Sequence, residues 1–405
     1  VFLGRIEEQE RFREALRQLL REASLSERVK SLASHKEQPR LPFLFLLYGE
    51  GGIGKSKLAA RFRDIARAEP EFHNRFTVVW VDWEKRRLLD RRFIARDSVS
   101  PELVFEHIYA VFRDEGFGRE FNSYERAVRK RTEAESTVAA LLTAGAETPA
   151  DRWAPLRELG AKGLAWLVRT GLPGGANIPE EPMAKVFEAI IGGGAEGLAR
   201  ARETATTLLR SRLKPDEFDL FTLPNETLAR ELARGIAGVA NQRPLVLILD
   251  TYEIVDRADV WLRVAIKRSG PRTVWVIAGR DNLADSRKYG QSYFVGYRAD
   301  FPSDRLRLLP LGEFSVEDVR DYFTSQAPER PLDDSSASAI HRATLGIPLA
   351  VREAAAVWRH GKPLSAIVDG IPERAPREQI VKAMTERFLL HCLDDPEHPD
   401  DRDQL

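Results

Sequence analysis

The sequence predicts an α/β fold, a parallel five-stranded sheet flanked by helices, carrying a long helical insertion and followed by a small helical domain. Three observations carry this expectation. A short apolar run, Leu44-Phe45-Leu46-Leu47, leads into a glycine-rich turn and then a helical pattern with Leu58, Ala59, Phe62 and Ile65 on one face, ending at Pro70. Two later runs, 244–250 and 272–280, are apolar without alternation, as strands buried on both faces are. From about residue 91 to residue 223 the pattern is helical with no strand signal.

The turn reads Gly49-Glu50-Gly51-Gly52-Ile53-Gly54-Lys55-Ser56. This is G-x-x-x-x-G-K-[ST], the phosphate-binding loop of nucleoside triphosphatases. Glycine gives the backbone room to approach phosphate and access to unusual dihedrals. The following helix adds its positive N-terminal end. Residues Gly49, Gly51, Gly52, Ile53, Gly54, Lys55, Ser56 and Lys57 are therefore the candidate phosphate wall. Lys55 is expected to reach the β- and γ-phosphates, and the Ser56 hydroxyl to ligate Mg²⁺. A chance glycine-rich turn is the plainer reading, but strand, loop and helix agree against it.

Composition sets outer bounds. A chain of 405 residues has room for two or three domains. Its 62 basic and 62 acidic residues balance, which argues against a protein built to coat nucleic acid and leaves only a local basic patch open. The single cysteine, Cys392, excludes an intramolecular disulfide framework and fits a reducing compartment. There is no signal peptide and no run of about 18 apolar residues, so a cytoplasmic protein without a membrane span is expected. The start at Val1 suggests a piece of a longer protein.

The elements follow in order. Residues 1–40 form an N-terminal segment: Val1-Phe2-Leu3-Gly4-Arg5, then Glu7, Glu8 and a helix to about Arg21, then a polar linker over 24–40. The nucleotide-binding domain is expected over 41–311, with the helical insertion at about 91–223. Residues 76–82 read as a strand, and Asp82, Trp83 and Glu84 as a capped strand end. In the insertion, Ser100-Pro101 starts a helix, and further helices are expected near 119–145, 151–170 and 181–212, broken at 171–175 and 192–194. No metal spacing and no nucleophile–base pair occurs there. A helix near 225–239 precedes the run 244–250, whose last residue, Asp250, is placed to hold the Mg²⁺ shell at the sheet edge. Thr251-Tyr252-Glu253 follows, and Glu253 either orients water or pairs with a nearby arginine. Arg280 closes the 272–280 strand; a guanidinium there can fork a phosphate, or form an ordinary salt bridge. Residues 306–311 read as a strand that Pro310 confines to an edge or an end. Ser315-Val316-Glu317-Asp318 is a capping-box-like start of the small helical domain, 312–370, and a last helix is expected at about 375–394, within a terminal segment 371–405.

The order of these motifs resembles that of STAND ATPases (signal-transduction ATPases with numerous domains, the NACHT and NB-ARC type) and their AAA+ relatives that load replication helicases. The resemblance rests on Gly4-Arg5, the phosphate loop, the run ending in Asp250, Arg280, and Gly346-Ile347-Pro348. It implies a P-loop NTPase sheet of order 5-1-4-3-2. It further implies Gly4 and Arg5 over the base or ribose, Arg280 sensing the γ-phosphate, and Pro348 packed on adenine. Many AAA-type ATPases carry a glutamate directly after the aspartate; here that position is Thr251, which points to slow hydrolysis. The cofactors implied are ATP or ADP with Mg²⁺, and no Asn/Thr-Lys-x-Asp stretch of the guanine-reading kind is present. The resemblance implies a regulatory switch, in bacterial defence or transcription control, that forms a homo-oligomer on activation by an unnamed trigger. A winged-helix domain and a sensor array would lie beyond this piece. A DNA-acting ATPase of the helicase-loader type shares most of these motifs and is the alternative; its sensor arginine would be Arg352.

Overall fold

Strand β1 (Phe43–Tyr48) is FLFLLY and β3 (Leu245–Asp250) is LVLILD, and both are buried almost end to end. With β2 (Thr77–Asp82) and β4 (Thr273–Gly279) they have the apolar continuity of strands covered on both faces. The computed structural model describes residues 5–29, 40–93, 99–144, 160–169, 194–289, 292–370 and 375–392. Its five-stranded sheet is parallel throughout, in the order β2-β3-β4-β1-β7, with β7 (Leu306–Pro310) at the edge. The order implied by the resemblance, 5-1-4-3-2, differs at the edge strand in chain-order numbering. Two short strands, β5 (Arg287–Tyr289) and β6 (Ser292–Phe294), intervene and pair antiparallel with each other rather than joining the sheet. Pro310 ends the edge strand, where its missing N–H breaks no ladder.

Register decides what the sheet presents. Tyr48 lies opposite Gly279 and Pro310, and Asp82 opposite Asp250. Because all strands run the same way, the residues that follow them converge on one edge: the glycine-rich turn, Asp250 and Arg280. Helix α1 (Ile6–Val29) and helix α2 (Lys55–Ala68) pack against each other. Phe12 stacks on Phe62 with ring centroids 4.2 Å apart, and both meet Phe45 edge-on. Arg13 and Arg61 share Glu69 across the same seam, at 2.8 and 2.7 Å. The linker read over 24–40 begins later than expected: α1 runs on to Val29, and 30–39 lies outside the described residues. Helix α3 (Trp83–Leu89) is capped by Asp82, whose carboxylate accepts from the Lys85 N–H at 2.9 Å. The capped strand end read from the sequence is thus a helix cap.

Contacts divide the chain into two compact units, of which one spans 97–242 with 257–270 and the other takes the remainder. The first contains helices and, among its described residues, no strand. They are α4 (Pro101–Phe112), α5 (Asn122–Ala144), α6 (Gly160–Arg169), α7 (Gly194–Arg212), α8 (Pro215–Thr222), α9 (Pro224–Gln242) and α10 (Asp259–Arg268). Ser100 caps α4 and Pro101 occupies its first turn. Val138, Leu142, Leu164, Leu167, Leu209 and Phe218 form its satellite core. Gly235 admits the Phe121 ring so closely that a Cβ would lie 2.3 Å from it. The breaks expected at 171–175 and at Gly192 and Gly193 lie outside the described residues.

The other unit carries a second helical group beside its sheet. It comprises α11 (Val316–Gln326), α12 (Asp334–Thr344), α13 (Pro348–Arg359), α14 (Ser365–Val368) and α15 (Arg377–Cys392). Ser315 and Asp318 close a capping box at α11, with the Asp318 N–H to Ser315 Oγ at 3.1 Å and the Ser315 N–H to Asp318 Oδ2 at 2.8 Å. Val319, Phe323, Ile340, Val351, Ala354 and Met384 fill the centre. Among the described residues no helix is long and apolar enough to cross a membrane.

Candidate functional site

The turn after β1 is held open by backbone that side chains resist. Gly49, Gly52 and Gly54 have φ of 148°, 76° and 92°. A Cβ on Gly49 would sit 2.5 Å from the Leu311 carbonyl oxygen, so only glycine lets the turn pass under the end of β7. Gly49 shapes the turn and is not part of the cleft wall, whereas Gly51, Gly52, Ile53, Gly54, Lys55, Ser56 and Lys57 line a cleft of about 630 Å³. That volume is in the range of small-molecule sites.

Lys55 opens α2 and folds back over the turn, donating to the carbonyls of Gly49 and Glu50 at 2.8 Å each. Burial lowers its pKa, while the nearby carboxylates of Glu253, Asp250 and Glu50 oppose that and Arg280 reinforces it. Ser56 is next, and its hydroxyl donates to Asp250 Oδ1 at 2.9 Å across 194 residues of chain. The Thr251 N–H donates to the same oxygen at 2.9 Å. Asp250 is 6% exposed, and burial pushes its carboxyl up to about 6 in spite of those two donors.

The chain turns sharply past Asp250. Thr251 has φ 57° and ψ 44°, a left-handed conformation that a β-branched residue seldom adopts. The turn returns Glu253 to the sheet edge, where its Oε1 accepts from Arg280 Nε at 3.1 Å. Of the two roles open to Glu253, pairing with an arginine is therefore the one seen here. The other oxygen, Oε2, is buried with no hydrogen-bond partner among the described residues. Arg280 itself is 68% exposed.

Pro348 starts α13, and the Leu349 N–H donates to the Gly52 carbonyl at 3.1 Å. This contact ties the helical group to the glycine-rich turn. Leu345 and Gly346, at φ 51° and 65°, make the turn into α13, and the Phe314 N–H donates to the Gly346 carbonyl at 2.7 Å. Arg5 reaches the same cleft, donating to the Gly312 carbonyl and pairing with Glu8 at 3.7 Å. Gly4 lies outside the described residues. The structure thus brings Arg5, the loop from Gly51 to Lys57, Asp250, Glu253, Arg280 and Pro348 to one cleft.

Further wall residues were not marked in the sequence. Phe314, Tyr322 and Gln326 line the cleft beside Pro348 and Leu349, with the Phe314 and Tyr322 rings 6.3 Å apart. They carry no motif; the packing of α11 on α13 places Tyr322 and Gln326, and the Phe314 N–H bond to the Gly346 carbonyl holds Phe314. Arg352, which the sequence marks as the sensor arginine of the helicase-loader alternative, lines the cleft and pairs with Glu353.

Among the described residues no group of three or more His, Cys, Asp or Glu side chains could hold a metal unaided. Ser56 and Asp250 offer two oxygens, the kind of partial set that suits Mg²⁺ when phosphate and water supply the rest. A buried acid held up near 6 fits that use, because a cation would stabilise its charged form. The open amides of the turn and Lys55 can receive an anion; the apolar wall can receive a flat ring. A scan of family models finds none that matches the chain, and no curated protein matches it.

Proposed function

We propose that this chain binds an adenine nucleotide with Mg²⁺ and acts as a nucleotide-controlled switch of the STAND type, hydrolysing ATP slowly. The observation that carries the reading is the Ser56 to Asp250 hydrogen bond, 2.9 Å, beside a turn whose own carbonyls hold its lysine. Phosphate would take Lys55 from Gly49 and Glu50, and Ser56 and Asp250 would hold the cation. Mg²⁺ supplies charge neutralisation of the phosphate oxygens. Glu253 and Arg280 stand at the terminal-phosphate end, and Phe314, Tyr322, Pro348 and Leu349 offer an apolar wall for the base.

Switching follows from where the wall comes from. The base wall belongs to α11, to Phe314 just before it and to α13, the phosphate loop to the β1–α2 turn, and the Leu349–Gly52 hydrogen bond joins them. A nucleotide that favours one arrangement of the two over another shifts the population only by its difference in affinity for them. Oligomerisation would be the output.

Titration calorimetry with ADP and ATP tests the binding. Lys55→Ala should lose about 10- to 100-fold in affinity, since a charged donor to phosphate is removed. Unchanged affinity in that variant would end the reading. For the switch, the full-length protein with its trigger should change size between ADP and ATP; identical size in both overturns it. Arg352 in the cleft wall favours a second reading, a DNA-acting ATPase of the helicase-loader type. Salt-dependent DNA binding with a steep slope would support that one instead.

A further inference from the structure

The Glu253–Arg280 pair is the feature whose consequence goes beyond nucleotide binding. Its members are unlike. Glu253 has 19% of its side chain exposed, and Arg280 has 68%. One carboxylate oxygen takes the Arg280 Nε at 3.1 Å and the other is buried without a partner among the described residues. Oε2 lies 3.6 Å from where a Cβ on Gly279 would be, so the carboxylate is lodged against the end of β4. The left-handed turn at Thr251 puts it there. The acid is therefore fixed, and the arginine is the member free to leave.

Arg280 and Glu253 line the same cleft as the glycine-rich turn, so on the nucleotide reading Arg280 would have two anions to choose between, this carboxylate and a terminal phosphate. A guanidinium forks either, and cannot fully serve both. We infer that Glu253 competes internally with the terminal phosphate for Arg280, so that this pair sets how strongly the site prefers a nucleoside triphosphate to a diphosphate. The inference rests on the nucleotide reading of the cleft. A diphosphate leaves Arg280 on Glu253 and gains nothing from it. A triphosphate gains the guanidinium but must first break the pair. The same exchange frees the Glu253 carboxylate only when a γ-phosphate is present.

The test is a double-mutant cycle on binding. ADP and the non-hydrolysable β,γ-imido analogue of ATP, each with Mg²⁺, are titrated into wild type, Glu253→Gln, Arg280→Gln and the double variant. Thermal melts check that each is folded. Glu253→Gln should tighten the ATP analogue about three- to tenfold, the size of one partly exposed charge-assisted pair, and leave ADP within about twofold. Arg280→Gln should bring the analogue close to ADP in affinity. In the double variant the gain from Glu253→Gln should vanish, because nothing remains to compete for. If that gain persists without Arg280, Glu253 acts by plain repulsion of phosphate and the inference fails. It also fails if Glu253→Gln moves both nucleotides alike or neither. Wild type that binds neither nucleotide would instead bring down the nucleotide reading, and this inference with it.

Discussion

Asp250 is buried at the end of β3, where a charged carboxylate is costly. Burial moves its carboxyl up to about 6, against about 3.9 in an unfolded chain. Between those two values the folded state binds more protons than the unfolded state. Stability therefore falls as pH rises through that window, and above about 6 the fold carries the full cost of the buried anion. Without divalent cation or nucleotide, Asp250→Asn should be more stable than wild type at pH 7.5, by on the order of 2 kcal/mol. That advantage should shrink towards pH 4.5. Denaturant melts at the two pH values measure it. A gap of equal size at both, or one of opposite sign, would show that Asp250 is not strained by its charge.

Among the elements, Gly346 governs how α13 meets the glycine-rich turn. Its φ is 65°, and a Cβ there would lie 2.3 Å from the Phe314 carbonyl oxygen. Gly346→Ala should cost about 2 kcal/mol or more, from the left-handed backbone and the clash together. A denaturant midpoint within error of wild type would contradict this. The elements also show what a sequence can reveal. The strands were legible because β1, β3 and β4 are buried on both faces and so read as unbroken apolar runs. The glycine-rich turn was legible because its glycines are dictated by local backbone. Phe314, Tyr322 and Gln326 were not legible, since their place in the cleft depends on how α11 and the segment before it meet the turn into α13, and packing leaves no local signature. The length of α1 was misjudged because Ser24, Ser26, Glu27 and Arg28 read as a polar linker, although Leu25 and Val29 among them keep a helical spacing of four. Glu253 stood two residues beyond the usual position, and the left-handed turn at Thr251 that returns it to the edge is not predictable from a threonine.

Across the whole molecule, every cleft residue named above belongs to the unit built on the sheet. The helical unit, 97–242 with 257–270, has its own apolar cluster and contributes none of them. A ligand stabilises what it binds by mass action, about 2.7 kcal/mol at a hundredfold excess over Kd. Whether that protection spreads depends on whether the two units open together or separately, since proteins open in cooperative pieces with their own free energies. Separate cores favour separate opening. Amide hydrogen exchange with and without Mg²⁺–ADP should therefore slow at 49–58, 249–254 and 346–353, where the cleft is lined. Exchange across α7 and α8, 194–222, should change little. Equal slowing in both places would mean that the chain, despite its two cores, opens as one cooperative body.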